Sequence, residues 1–264
     1  MDNKTLIILL GNPRGGEDTW ESMYKNLKEP YNADIALCFG YSDNKTSSLY
    51  KTAKYVWELK EYQNWYDYYS NNFTGNWIKV FNENQHVGLM GGINDNKGSG
   101  AIIFAFRHFL LNNYKDILLT YDRIILTRSD YYYIDTHPIL DNDNFYILEG
   151  EDYYGITDRH HIFNSKDIDN VLGVCEFMCD EKNHNLILKH KDINPEIMLK
   201  IFFDFNGISN KIRRCERVQF TVAEPNDSTR WQVANTQLPG HPYLKLKYIT
   251  EYNVAINNKN NKNG

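Results

Sequence analysis

The sequence predicts an α/β domain with a mainly parallel central sheet flanked by helices. Three observations carry that expectation. Apolar, β-branched runs recur at residues 6–10 (LIILL), 33–39 (ADIALCF) and 124–127 (IILT), with helix-like segments between them, the alternation of a layered α/β fold. The first run closes in a glycine-rich turn, Gly11-Asn12-Pro13-Arg14-Gly15-Gly16. The third ends abruptly in Arg128-Ser129-Asp130, within YDRIILTRSDYYYID at residues 121–135. In open α/β sheets, ligands bind outside such strand ends.

Taken in order, the first strand and its turn lead into a helix expected over residues 18–27, a context in which Gly11 and Arg14 are candidate phosphate contacts. The spacing fits neither a Walker-type phosphate loop nor a dinucleotide fingerprint. A second strand is expected at 33–39. Residues 52–69 read as one helix, whose Trp57, Tyr62, Trp65, Tyr66 and Tyr69 are either packing or a ligand-facing wall. Residues 77–81 read as a short strand. The loop Gly98-Ser99-Gly100 opens a helix over 101–111 (AIIFAFRHFLL), apolar nearly all round and therefore buried. Its start can offer backbone N–H groups to an anion, with Ser99 and Lys97 as candidate contacts; the alternative is a plain capped loop.

After the Arg-Ser-Asp strand end, 145–148 is a short strand. Gly150-Glu151-Asp152-Tyr153-Tyr154-Gly155 is an acidic loop, followed by Ile156-Thr157-Asp158-Arg159-His160-His161. Residues 167–179 read as an amphipathic helix. Pro195-Glu196 opens a helix over 197–203, since proline and an acid both suit a first turn. A late strand is expected at 218–223. Residues 1–256 read as a single domain, and the Asn/Lys-rich tail 257–264 as disordered.

Composition narrows the function classes. The 264 residues carry a formal charge of -5, which argues against non-specific nucleic-acid binding. The apolar run at 6–10 is too short for a membrane span, so a cytoplasmic protein is expected. The 20 tyrosines suit sugar-facing or nucleotide-facing surfaces, and equally an AT-rich coding sequence. Cys175 and Cys179 have helical spacing but no matching second pair, which disfavours zinc.

The charged residues suggest chemistry on a phosphate-bearing substrate. Arg128, Arg14 and Lys97 can neutralise phosphate, Asp130 can hold a metal, and Asp158 can serve as a base or bind a sugar hydroxyl. Asp152 and Arg159 are further substrate-binding candidates, and His241 a late metal ligand. Read without a ligand, Arg128–Asp130 is a structural ion pair, Asp158–Arg159 a surface pair and His241 a turn residue. Two other functions fit the same residues. One is a metal-dependent phosphohydrolase or nuclease; the other is a non-catalytic nucleotide- or carbohydrate-binding module.

Thr127-Arg128-Ser129-Asp130 and GEDYYGITDRH at 150–160, with GNPRGGEDTW at 11–20 and Gly98-Ser99-Gly100-Ala101-Ile102, resemble a family of glycosyltransferases. These occur in large DNA viruses, algae and other microbial eukaryotes, and resemble lipopolysaccharide-synthesis enzymes with an Arg-x-Asp motif. The resemblance spans residues 6–203. It implies a viral or microbial enzyme of glycan biosynthesis with a GT-A, Rossmann-type fold. The donor would be a nucleotide sugar (a UDP-sugar expected), the acceptor a glycan, and the cofactor Mn2+ or Mg2+; a homodimer is compatible with the chain. Arg128 and Asp130 would stand at the donor and metal motif, and Asp158 and Arg159 on the acceptor side. The chain departs from the usual Asp-x-Asp, because position 128 is arginine.

Overall fold

The computed structural model describes residues 3–84, 86, 88–227, 230 and 234–262. Its centre is a seven-stranded sheet. In chain order the first half comprises β1 (Thr5–Gly11), α1 (Gly16–Met23), β2 (Asp34–Gly40), α2 (Ser48–Thr52), β3 (Tyr55–Leu59), α3 (Tyr66–Asn72), α4 (Lys79–Glu83), α5 (Gly100–Leu118), β4 (Arg123–Thr127), β5 (Tyr131–Tyr133), β6 (Phe145–Leu148) and β7 (His161–Asn164). The second half comprises α6 (Ile168–Leu172), α7 (Val174–Cys179), α8 (Glu181–Ile187), α9 (Pro195–Asn206), β8 (Ile212–Cys215), β9 (Gln219–Ala223), β10 (Thr236–Gln237), β11 (Lys245–Leu246) and α10 (Ile249–Lys262). The sheet order is β3-β2-β1-β4-β7-β6-β8. β7 runs antiparallel to both its neighbours, and the other pairings are parallel.

Strand composition explains the layers. Residues 6–9 and 124–126 are almost wholly buried, as expected of strands covered on both faces. Alternate side chains divide between two cores: Leu6, Ile8, Ile124 and Leu126 pack towards α5, while Ile7, Leu9 and Ile125 join Trp20 and Met23 of α1. A smaller antiparallel sheet, β10-β11-β9-β5, stands beside the first. Its own core holds Phe220, Val222, Leu246 and Ala255 of α10. β5 belongs to this second sheet, so Arg128-Ser129-Asp130 is the link by which the chain leaves one sheet and enters the other.

Four elements differ from expectation. Residues 52–69 form no single helix: Tyr55–Leu59 is an edge strand paired with β2. Three of its five residues are aromatic or β-branched, and cross-strand packing overrides the helical spacing. Residues 77–81 form no strand: Trp77 and Ile78 lie in a turn, and residues 79–81 open the short helix α4. The 167–179 helix is broken at Gly173 into α6 and α7. The tail is helical to Lys262 rather than disordered, with Ala255 and Glu251 buried; residues 263–264 lie outside the described residues. No helix among the described residues is long and apolar enough to cross a membrane.

Candidate active site

The cleft lies at the carboxyl ends of β1, β2 and β4, and its shape comes from three tight contacts. Gly15 adopts φ +88°, and a Cβ there would sit 3.2 Å from the Asp130 Cα. Glycine therefore lets the β1–α1 turn close on the Arg-Ser-Asp link. The Ser129 hydroxyl stitches the two together, donating to the Asn12 carbonyl (2.9 Å) and accepting from the Arg14 N–H (3.0 Å). The Asp227 carboxylate accepts from the Gly15 N–H at 2.9 Å.

Two chambers share one wall. The larger, about 530 Å³, runs over Gly11, Asn12, Gly40, Tyr41 and Glu61 at the ends of β1, β2 and β3. The smaller, about 230 Å³, is enclosed by the start of α5, the 153–159 loop, the start of α9, and Lys247 with Tyr248. Arg14, Ser99, Ile103, Arg128 and Arg230 line both. The larger volume falls in the range of roughly 300–1,000 Å³ usual for small-molecule sites. The N-terminus of the nineteen-residue α5 opens on the shared wall, adding the positive end of a dipole.

The shared wall is cationic. Arg128 grips Asp130 with a two-point fork, Nε to Oδ1 at 2.7 Å and Nη2 to Oδ2 at 2.6 Å. Burial opposes charge on Asp130, but Arg128, with Lys247 and Arg14, holds its carboxyl far below the usual range. Burial and the Arg128 charge push Lys247 down to about 8. Arg14 is likewise lowered by burial.

The smaller chamber is acidic on its far side. Asp158 lines it and makes no side-chain hydrogen bond among the described residues; its nearest ionic partner is Arg159 Nε at 3.9 Å. Glu196 lines the same chamber, and burial together with the Asp158 charge pushes it up to about 8. Gly155 brings the two segments together. Its neighbour Ile156 donates its N–H to the Glu196 carbonyl (2.9 Å), and a Cβ on Gly155 would collide with the Glu196 backbone. In the loop that supplies Tyr153 to this chamber, Glu151, Tyr153 and Tyr154 all have positive φ, strain of a kind that clusters at ligand sites.

Behind this chamber lies a buried ionic knot. Arg159 Nη1 contacts Glu151 (2.6 Å) and Glu251 (2.9 Å), and Arg217 Nη2 contacts Glu151 (2.9 Å). Arg159 also donates to the Tyr248 hydroxyl at 3.2 Å and lies over its ring. Burial pushes Glu251 up, with Glu151 adding to the effect.

The cleft thus brings together Gly11, Arg14, Ser99, Arg128, Asp130, Asp158 and Arg159, seven of the residues singled out in the sequence. Three others stand elsewhere. Lys97 is exposed and lines neither chamber. Asp152 pairs with Arg214 at 2.8 Å instead. His241 is bonded to the Tyr132 hydroxyl (3.0 Å) and approaches Asp18 (3.4 Å), outside both chambers. Sequence reading missed Lys247, Tyr248 and Arg230 because they come from the second sheet and its connections. It read Glu196 only as a first-turn acid; the Pro-Glu helix start was the available signal.

A divalent cation does not fit the residues present. Metal binding needs free carboxylate lone pairs, and both Asp130 oxygens are engaged by Arg128. Arg14 and Lys247 place like charge where the ion would sit. Among the described residues, no three His, Cys, Asp or Glu side chains converge as a ligand set. All four cysteines are buried and free. Compared with models of known protein families, the chain matches none, and no curated protein matches it.

Proposed function

We propose that the protein is a glycosyltransferase that moves a sugar from a nucleoside-diphosphate sugar, a UDP-sugar by our reading, to a hydroxyl of a glycan acceptor. The supporting observation is the two-chamber cleft with a cationic common wall. The nucleoside lies in the larger chamber, the diphosphate crosses the wall at Arg14 and Arg128, and the sugar enters the smaller chamber towards Asp158.

The chemistry follows from that placement. The acceptor oxygen attacks the anomeric carbon and forms the new C–O bond, while the bond from that carbon to the phosphate oxygen breaks. The electron pair leaves with the diphosphate, whose charge the cationic wall and the α5 N-terminus neutralise. Asp158 takes the acceptor's proton. Burial and the Asp158 charge favour the protonated form of Glu196, which can donate a hydrogen bond to the acceptor or sugar.

The cationic wall disfavours a two-metal hydrolase, which needs converging carboxylates. The decisive assay incubates the protein with nucleoside-diphosphate sugars and oligosaccharide acceptors, following diphosphate release and acceptor mass. An acceptor heavier by one sugar residue is expected. Diphosphate binding without transfer from any donor would instead favour a binding module, and phosphate-ester cleavage without an acceptor would favour a hydrolase.

A further inference from the structure

The Arg128–Asp130 fork has a meaning beyond the general reading of the cleft. A guanidinium held at two points has its remaining N–H groups fixed in direction, which suits recognition of a phosphate. Arg128 is held in this way: its Nε and Nη2 are bound to Asp130, its side chain is 23% exposed, and it lines both chambers. Asp130 is itself 3% exposed and is flanked by Lys247 and Arg14. The local charge is therefore positive even after Asp130 is counted, and each Asp130 oxygen already accepts from Arg128.

We propose that the cleft holds a diphosphate without a divalent cation, through Arg14, Arg128 and Lys247, and that Asp130 is a positioning residue that fixes the Arg128 fork. This rests on the transferase reading for the identity of the ligand, but the clamp can be tested apart from it. The link from β4 to β5 is what makes it possible. Arg128 ends one sheet, Asp130 begins the other, and the Val222 N–H donates to the Asp130 carbonyl at 2.9 Å. The fork is therefore anchored in the second sheet while its free edge serves the first.

Calorimetric titration with inorganic pyrophosphate and with UDP, in EDTA and then in Mn2+, tests the clamp. Affinity in EDTA within about threefold of that in Mn2+ is expected. Binding that appears only with the metal, or weakens tenfold or more in EDTA, overturns the proposal. Asp130→Asn, measured well below its melting temperature, should weaken pyrophosphate binding several-fold by the same factor in both buffers. A loss confined to Mn2+ would make Asp130 a metal ligand, and no loss would deny it a positioning role. If that variant misfolds, the neutral pair Arg128→Gln/Asp130→Asn leaves neither member of the fork charged without the other and should lose binding at least tenfold; retained affinity would remove Arg128 from the clamp. EDTA-resistant pyrophosphate binding without sugar transfer would keep the clamp and reject the transferase. Transfer that stops in EDTA and returns with Mn2+ would do the reverse.

Discussion

Arg159 Nη1 lies 2.9 Å from Glu251 Oε1, which ties the final helix to the floor of the smaller chamber. Glu251 also accepts from the Thr221 N–H at 2.7 Å, so one carboxylate joins the helix, the second sheet and the site. Lys247 and Tyr248, just ahead of that helix, are carried into the cleft by the same anchor.

Removing the anchor leaves the buried Arg159 Nη1 and the Thr221 N–H without the acceptor that Glu251 provides. Glu251→Ala should destabilise the fold by about 2–4 kcal/mol, from two buried donors left unsatisfied at about 1–3 kcal/mol each. Urea unfolding measures it; a loss below about 1 kcal/mol would show that the knot is not holding the helix.

Gly155→Ala places a methyl group against the Glu196 backbone. Overpacking of this kind costs about 1–3 kcal/mol, and relief must come by separating the Asp158 and Glu196 segments. Sugar transfer should fall at least tenfold while pyrophosphate affinity stays within about twofold. Equal losses in both would place the strain on the shared wall instead.

Lys247 has its ammonium pushed down to about 8 by burial and by Arg128. Diphosphate binding favours the protonated form, so affinity should be greatest below that value and fall as the pH rises from 7 to 9. Lys247→Met should weaken binding and flatten the decline. A wild-type affinity that is constant across this range would take Lys247 out of the clamp.

His137 is fully buried, and desolvation lowers it to about 4 against an ordinary value of 6.5. The folded state favours the neutral ring. Its contribution is therefore fully present above pH 6.5 and is lost as the pH falls from there towards 4. At about 1.4 kcal/mol per pH unit, the contribution is roughly 3 kcal/mol. Chemical denaturation of His137→Gln should show a shallower decline in stability from pH 6.5 to 4 than the parent; identical slopes would refute this.

The parallel strands were legible because a strand buried on both faces is an uninterrupted apolar run, as in residues 6–10 and 124–127. The β1 turn and the Arg-Ser-Asp link were legible because both are local. What escaped were features fixed by distant partners. Tyr55–Leu59 carries helical spacing yet pairs with β2, and residues 257–262, all Asn and Lys, are helical because Ala255 and Glu251 anchor the turns before them. Lys247 and Glu196 reach the cleft from opposite ends of the second half, and no spacing in the chain connects either to Asp130. Asp130 itself is ambiguous by residue type; only the fork with Arg128 distinguishes an anchor from a ligand for metal.

The cleft lies on the seam between two sheets that have separate apolar cores. The smaller core, around Phe220, Val222 and Leu246, is the minor one, and it carries Lys247 and α10. A ligand held at once by Arg14 and Lys247 works as a non-covalent crosslink across that seam. Amide exchange in β9, β11 and α10 should therefore report occupancy more sensitively than exchange in β1 or β4, because sub-global opening of the smaller unit is the motion a bound diphosphate suppresses first.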